Sequence, residues 1–365
     1  MTDTRIILLE GMPSTGKTTN ARFMQIQLER NGVSAKWIHE IATPHPLLFY
    51  DEAGMTRDEY DGFIRLYPHA AAVLNGIAEF KGNDVFIPLI EIQWKYLDTI
   101  GEEAYRALLE HNAWNLPLEA YKRFALVKWA GFSEKALENR GEVYIIDGAV
   151  FQYQVFIFLL KNRPYGELQN FIDRLIKVIM PLNPRLIFLR RKNAEASIDY
   201  LENDRGTPYL DYIWQRDKDQ PYYADKPAKA EGFKQFLRDY SNITNLLFDR
   251  FPSDKISIDV SDGKWICHED KILSYLNVNR AQEPDAYPQN GVYFNEATGF
   301  EIIVDGLSIT DPNGNVRPLY TKSQNEFYVD WIPTILRFEN GKIIISGSQT
   351  GNRWTETGTV YTKTK

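Results

Sequence analysis

Cysteine is nearly absent: Cys267 is the one thiol in 365 residues. A single thiol excludes an internal disulfide and a thiolate metal cluster, and a buried structural role is expected of it. Histidine is scarce too, at five residues. His39 and His45 share a loop, and two histidines in a loop do not make a metal site. Long hydrophobic runs are missing. The longest purely apolar stretch, Val155 to Leu160, is far short of a membrane span. Ile6 to Leu9 is too short for the core of a signal peptide. Nor is there an excess of positive charge: 42 Lys and Arg stand against 49 Asp and Glu, a formal net charge of −7. General affinity for nucleic acid or an anionic membrane is therefore not expected. No internal repeat or low-complexity tract is visible. What remains is an ordinary globular composition, 44% hydrophobic and 25% charged, in a chain long enough for about two domains. A reducing cytoplasm is the expected home.

The stretch RIILLEGMPSTGKTTNARF, residues 5–23, carries the sharpest signal. Ile6 to Leu9 is a short apolar run, as expected of a parallel strand buried on both faces. Gly11 to Thr18 then fits G-x-x-x-x-G-K-[ST], a loop whose backbone cradles phosphate. Gly11 and Gly16 allow positive φ and let an anion approach main-chain N–H groups. Met12, Pro13, Ser14 and Thr15 complete the loop, and Lys17, Thr18 and Thr19 open a helix whose N-terminus favours negative charge. In such loops the lysine reaches the β- and γ-phosphates and the Thr18 hydroxyl holds Mg²⁺. ATP and Mg²⁺ are the ligands this pattern implies.

Residues 1 to about 278 read as alternating strands and helices. Strands are expected at Ile6–Leu9, Ala35–Ile38, Val143–Ile146, Leu186–Leu189 and Lys255–Val260, with helices after most of them. That alternation predicts a parallel sheet covered on both faces. An insert of about residues 40–140 separates the second and third strands and is rich in aromatics, among them Phe49, Tyr50, Trp114, Tyr121, Phe124 and Trp129. Most suit helix packing, and a subset suits the wall of a pocket for a flat or sugar-like ligand. Residues 279–290, with two prolines and no periodicity, suit a linker with few crossing contacts. From Gly291 to residue 365, short strands and turns predict a small antiparallel sheet or barrel. The Asn-Gly pairs at 313–314 and 340–341 read as hairpin turns. No catalytic constellation is visible in it, and its pattern weakly resembles the lipocalin-like half-barrels appended to some bacterial enzymes.

The phosphate loop, with the glutamate before it in LLEGMPSTGKTT, and the run of strands resemble the thymidylate kinase and deoxynucleoside kinase group of P-loop kinases. The resemblance implies a five-stranded parallel sheet in the order 2-3-1-4-5 and an acceptor bound under a helical insert. At the end of the third strand the family has an acidic residue followed by an arginine that touches substrate phosphate. Here Asp147 is present but Gly148 replaces the arginine, a departure from the pattern that reads a nucleoside monophosphate. Asp147 stands where open α/β sheets place ligand groups: as a Mg²⁺-side carboxylate, an acceptor contact or an N-cap for the helix from Phe151. Glu40, in KWIHEIATPHP, matches the family's glutamate that deprotonates the acceptor hydroxyl, with Asp147 its rival as base. A surface glutamate at a strand end is the plain alternative. The family folds a basic lid over the triphosphate, here about residues 203–228. Arg205 lies where a lid arginine would, and Arg191 could stack near the adenine; Arg190 and Arg216 lie nearby.

These features suggest an ATP-dependent kinase transferring a γ-phosphate to a hydroxyl of a nucleoside, nucleotide, antibiotic or related small molecule. The competing reading is a P-loop ATPase or nucleotide-dependent regulatory module whose working surface is the C-terminal β-domain. A nucleic-acid end kinase fits poorly with the acidic balance.

Overall fold

The computed structural model describes residues 3–364. Eight strands precede the C-terminal region: β1 (Ile6–Gly11), β2 (Ser34–Ile38), β3 (Glu52–Thr56), β4 (Glu79–Lys81), β5 (Asp84–Pro88), β6 (Glu142–Asp147), β7 (Arg185–Arg190) and β8 (Lys255–Asp259). Five of them form one sheet in the order β2-β6-β1-β7-β8, every pair parallel. Counted along that sheet the order is 2-3-1-4-5, as the sequence resemblance implies. The alternation of side chains explains the unbroken apolar runs. Ile6 and Leu8 point into one core with Tyr144, Ile146, Leu186 and Phe188, while Ile7 and Leu9 point into another with Val143, Ile145, Ile187 and Leu189. Both faces are covered by helices, so neither can be polar.

Register decides what meets at the end of this sheet. Leu9 lies beside Asp147, Gly11 beside Leu189, and Ile38 beside Ile146. Because the strands are parallel and level, the segments leaving β1, β2 and β6 emerge along one edge, where open α/β sheets bind ligands.

The insert is not purely helical. β3, β5 and β4 form an antiparallel sheet in that order, packed with helices such as Arg57–Leu66 and Glu102–Leu109 over a core of its own. Val85, Phe86 and Ile87 favour extended backbone, and all three are fully buried. The sequence expectation did not include these three short strands. Cys267 also departs from expectation: it is exposed. Its helix, Trp265–Leu276, buries His268, Ile272, Leu273 and Leu276, leaving Cys267 off that face.

The C-terminal region holds β9 (Gly291–Phe294), β10 (Glu301–Asp305), β11 (Ser308–Thr310), β12 (Val316–Thr321), β13 (Glu326–Val329), β14 (Thr334–Glu339), β15 (Lys342–Gly347) and β16 (Val360–Lys363). They form a closed antiparallel barrel rather than a half-barrel, with β16 returning to pair with β9. Asn340 and Gly341, at φ 50° and 74°, make the two-residue turn from β14 to β15, where both central residues need positive φ. Tyr293, Ile309, Phe327, Leu336, Ile343 and Tyr361 fill the interior, each fully buried.

Residues 277–290 carry no regular structure, yet many contacts cross here, contrary to the sequence expectation. The Asn31 amide donates to the Asn279 carbonyl at 2.8 Å, and the Ala281 N–H donates to Gln27 Oε1 at 2.7 Å. The Arg30 guanidinium reaches the Thr321 carbonyl at 3.0 Å. The barrel is therefore docked on the helix Lys17–Arg30. Among the described residues, no helix is long and apolar enough to cross a membrane.

Candidate active site

The loop between β1 and the helix Lys17–Arg30 has the backbone its sequence demands. Ser14 and Gly16 take left-handed φ of 57° and 84°, and Gly16 caps the helix without a side-chain bond to its first N–H groups. Those donors are left for an anion. A Cβ at Gly11 would stand 2.3 Å from the Leu189 carbonyl oxygen, and one at Gly16 would stand 2.7 Å from the Trp265 ring. Pro13, Ser14, Gly16, Lys17, Thr18 and Thr19 line a cavity of about 1060 Å³. Gly11, Met12 and Thr15 build the loop from behind. Met12 is buried in the core, Thr15 Oγ1 donates to the Met12 carbonyl at 2.8 Å, and Lys17 Nζ lies 3.1 Å from the carbonyls of both Gly11 and Met12.

Asp147 is fully buried, and one of its oxygens accepts from the Thr18 hydroxyl at 3.0 Å. Its other oxygen has no partner among the described residues. Burial, and then the neighbouring Glu40 carboxylate, push its carboxyl up against the pull of Lys17. A carboxyl with one unpartnered oxygen, beside the hydroxyl that bonds its other oxygen, fits a Mg²⁺ ion that takes its other ligands from phosphate and water. No cluster of three or more His, Cys, Asp or Glu ligands occurs among the described residues, so any such ion would lean on those outside ligands.

Asp147 does not cap the helix that follows. Glu10 does: its carboxylate accepts from the N–H groups of Val150 at 2.7 Å, Phe151 at 3.0 Å and Gln152 at 3.0 Å. The signal was present in the sequence as a lone charge inside a buried apolar strand. Gly148 has φ 67°, and a Cβ there would stand 3.1 Å from the Gln152 amide oxygen. An arginine at this place would be strained.

Glu40 lines the cavity and accepts from the Gln152 amide at 2.6 Å. Thr18, Glu40 and Asp147 are thus brought together by three different strand ends. His39 and His45 are buried loop anchors: His39 Nδ1 accepts from Ile41, and His45 Nδ1 accepts from Leu47 and Leu48. Burial pushes His39 down to about 4 and His45 well below the ordinary imidazole value, which favours the neutral ring at both.

From the other side, Arg205 and Arg216 line the cavity, and the Ser14 hydroxyl donates to Asp204 at 3.1 Å. Arg191 does not line it. Its guanidinium is buried under the loop, directed at the carbonyls of Val260 and Ser14 and stacked 3.5 Å from the Tyr200 ring centroid. Tyr50, Trp114, Tyr153 and Phe156 form an aromatic wall, whereas Phe49, Tyr121, Phe124 and Trp129 are buried core. Trp265 and Trp331 also reach the cavity, and sequence reasoning missed both.

No protein-family model and no curated protein matches this chain. Solved structures do. The YorR protein of Bacillus subtilis, solved in complex with phosphorylated GDP, is 12% identical over 74% of this chain and 93% of that one, with a TM-score of 0.33. A protein of Chloroflexus aurantiacus J-10-fl named as a candidate kinase is 10% identical over 75% of this chain and 97% of that one, with a TM-score of 0.30. Similarity at this level carries no information on substrate or chemistry.

Proposed function

We propose that this chain is an ATP-dependent phosphotransferase that moves the γ-phosphate to a hydroxyl of a small acceptor. The observation that carries this reading is one cavity lined by the phosphate loop, Glu40 and an aromatic wall, with Asp147 buried behind it against Thr18. At about 1060 Å³ it is at the upper end of small-molecule sites, with space for an acceptor beside a nucleotide.

When bound, Mg-ATP would supply the phosphoryl group and part of the counter-charge. The loop residues from Gly11 to Thr19 would hold the phosphates through backbone N–H groups and Lys17, and Thr18 with Asp147 would hold the metal. Glu40 is the residue assigned to take the acceptor's proton. It is supported over Asp147 because it lines the cavity with its carboxylate held by Gln152, while Asp147 is fully buried against Thr18. Arg205 and Arg216 would offset charge on the transferred group from the lid side. Most of the work is placement and electrostatics, as befits phosphoryl transfer.

The test is transfer of labelled γ-phosphate to a panel of hydroxyl acceptors by the full chain, with Lys17→Ala as control. Transfer to an acceptor, reduced about 100-fold or more in Lys17→Ala, supports the reading. Acceptor-independent hydrolysis alone, or turnover indifferent to Lys17, refutes it.

A further inference from the structure

The barrel reaches the cavity through the turn between β13 and β14. Trp331, at the tip of that turn, is 43% exposed and lines the cavity together with His39, Glu40 and Ile41. A large apolar side chain this exposed adds little to the core of its own domain, yet its backbone is held with unusual care. Arg22, on the helix that begins at the phosphate loop, is only 3% exposed. Its guanidinium lies 4.7 Å from the Trp37 ring centroid and 4.3 Å from that of Tyr328. From there Nε donates to the Asp330 carbonyl at 3.3 Å and Nη2 donates to the Ile332 carbonyl. Arg22 thus grips the chain on both sides of Trp331.

Two further features set the indole. Asp330 takes φ 39°, a left-handed value that costs a non-glycine residue energy. Arg317 pairs with the Asp330 carboxylate at 3.7 Å and lies 5.2 Å from the Trp331 ring centroid. On the cavity side, the His39 ring is 6.4 Å away. Since His39 Nδ1 accepts from Ile41, the neutral ring carries its proton on Nε2, which has no partner among the described residues. An aromatic face and an unpaired donor therefore stand beside Glu40.

We propose that Trp331 is an acceptor-contact residue, so that the C-terminal barrel forms one wall of the acceptor site and the acceptor presents a planar ring to it. Arg22 is the positioning residue: because it sits on the phosphate-loop helix, it ties this wall to the loop itself. The aromatic residues Tyr50, Trp114 and Tyr153 in the same cavity suit the same class of ligand. The inference rests on the phosphotransferase reading above.

The test uses the full chain with a mixture of adenosine, guanosine, cytidine and thymidine as the planar-ring probe, Mg-ATP as donor, and fluorotryptophan labelling. The Trp331 resonance is identified by its loss in Trp331→Phe. Stacking on one aromatic face is worth about 5- to 150-fold in affinity. Trp331→Ala should therefore raise the acceptor KM about 10-fold with kcat and Mg-ATP affinity kept, and Trp331→Phe should recover most of the loss. A nucleoside-dependent shift of the Trp331 resonance supports the contact even without transfer. Nucleoside transfer indifferent to Trp331→Ala overturns the inference and leaves the phosphotransferase reading intact. If Mg-ATP binds but the nucleosides neither accept phosphate nor move the resonance, the planar-ring acceptor is wrong while the nucleotide site stands. Failure of the wild-type chain to bind Mg-ATP removes the phosphotransferase reading and this inference with it.

Discussion

Replacing Glu10 by glutamine exchanges one oxygen for an NH₂ group in a fully buried carboxylate that accepts three backbone N–H bonds. One oxygen serves Val150 and Phe151, and the other serves Gln152. If the amide oxygen stays with the first two, the NH₂ group faces the Gln152 N–H, donor against donor. A buried donor left without an acceptor costs about 1–3 kcal/mol. The cost depends on pH, because burial pushes the Glu10 carboxyl up from the ordinary 4.5 to about 7, with the N–H bonds and Lys17 pulling the other way. Between those values the folded chain holds a proton that the unfolded chain has released. The associated stability is complete below about pH 4.5 and lost as pH rises through about 7. The shift is worth about 3 kcal/mol, and glutamine does not titrate. The wild type should therefore exceed Glu10→Gln most near pH 5, and the gap should close by up to about 3 kcal/mol near pH 8. In a chain of this size that is a change of about 4 °C in the difference between the two melting temperatures. Thermal unfolding followed by circular dichroism at both pH values measures it. A gap that stays constant or widens with rising pH would show that Glu10 is ionised throughout and that its three N–H bonds outweigh burial.

Glu40→Gln should lower kcat about 100-fold while Mg-ATP affinity is kept, and Asp147→Asn should instead weaken the response to Mg²⁺. Full activity in the first with a dead second would make Asp147 the base. Gly11→Ala should destabilise by about 1–3 kcal/mol, because the new Cβ would meet the Leu189 carbonyl oxygen at 2.3 Å and a backbone atom of the central sheet cannot step aside. A wild-type denaturation midpoint would contradict this. Truncation after Asn279 should lower the melting temperature of the remaining chain, since it strips the buried Arg22 of the Asp330 and Ile332 carbonyls and of the Tyr328 ring. Unchanged melting would mean that the barrel contacts contribute nothing.

The local chemistry of this protein was legible in its sequence wherever a few adjacent residues sufficed to specify it. The apolar run of β1, the glycines and lysine of the phosphate loop, the helical spacing after β6 and the Asn340-Gly341 hairpin each encode a backbone conformation within a short window. The sheet order came with the resemblance those residues carry, and the structure has it. The insert's strands escaped because they pair with one another, as a separate antiparallel sheet, outside the strand–helix alternation that marked the central five. The rest depended on contacts between distant positions. Thr18 and Asp147 are 129 residues apart, and Arg22 and Asp330 are 308 apart. Only the level register of β1, β2 and β6 brings Thr18, Glu40 and Asp147 to one edge, and only packing turns Glu10 from a motif residue into the cap of another strand's loop. That the barrel closes, that it docks on the phosphate-loop helix and that Trp331 thereby reaches the cavity were decided by tertiary structure, because no local window of sequence records which distant surface a residue will meet.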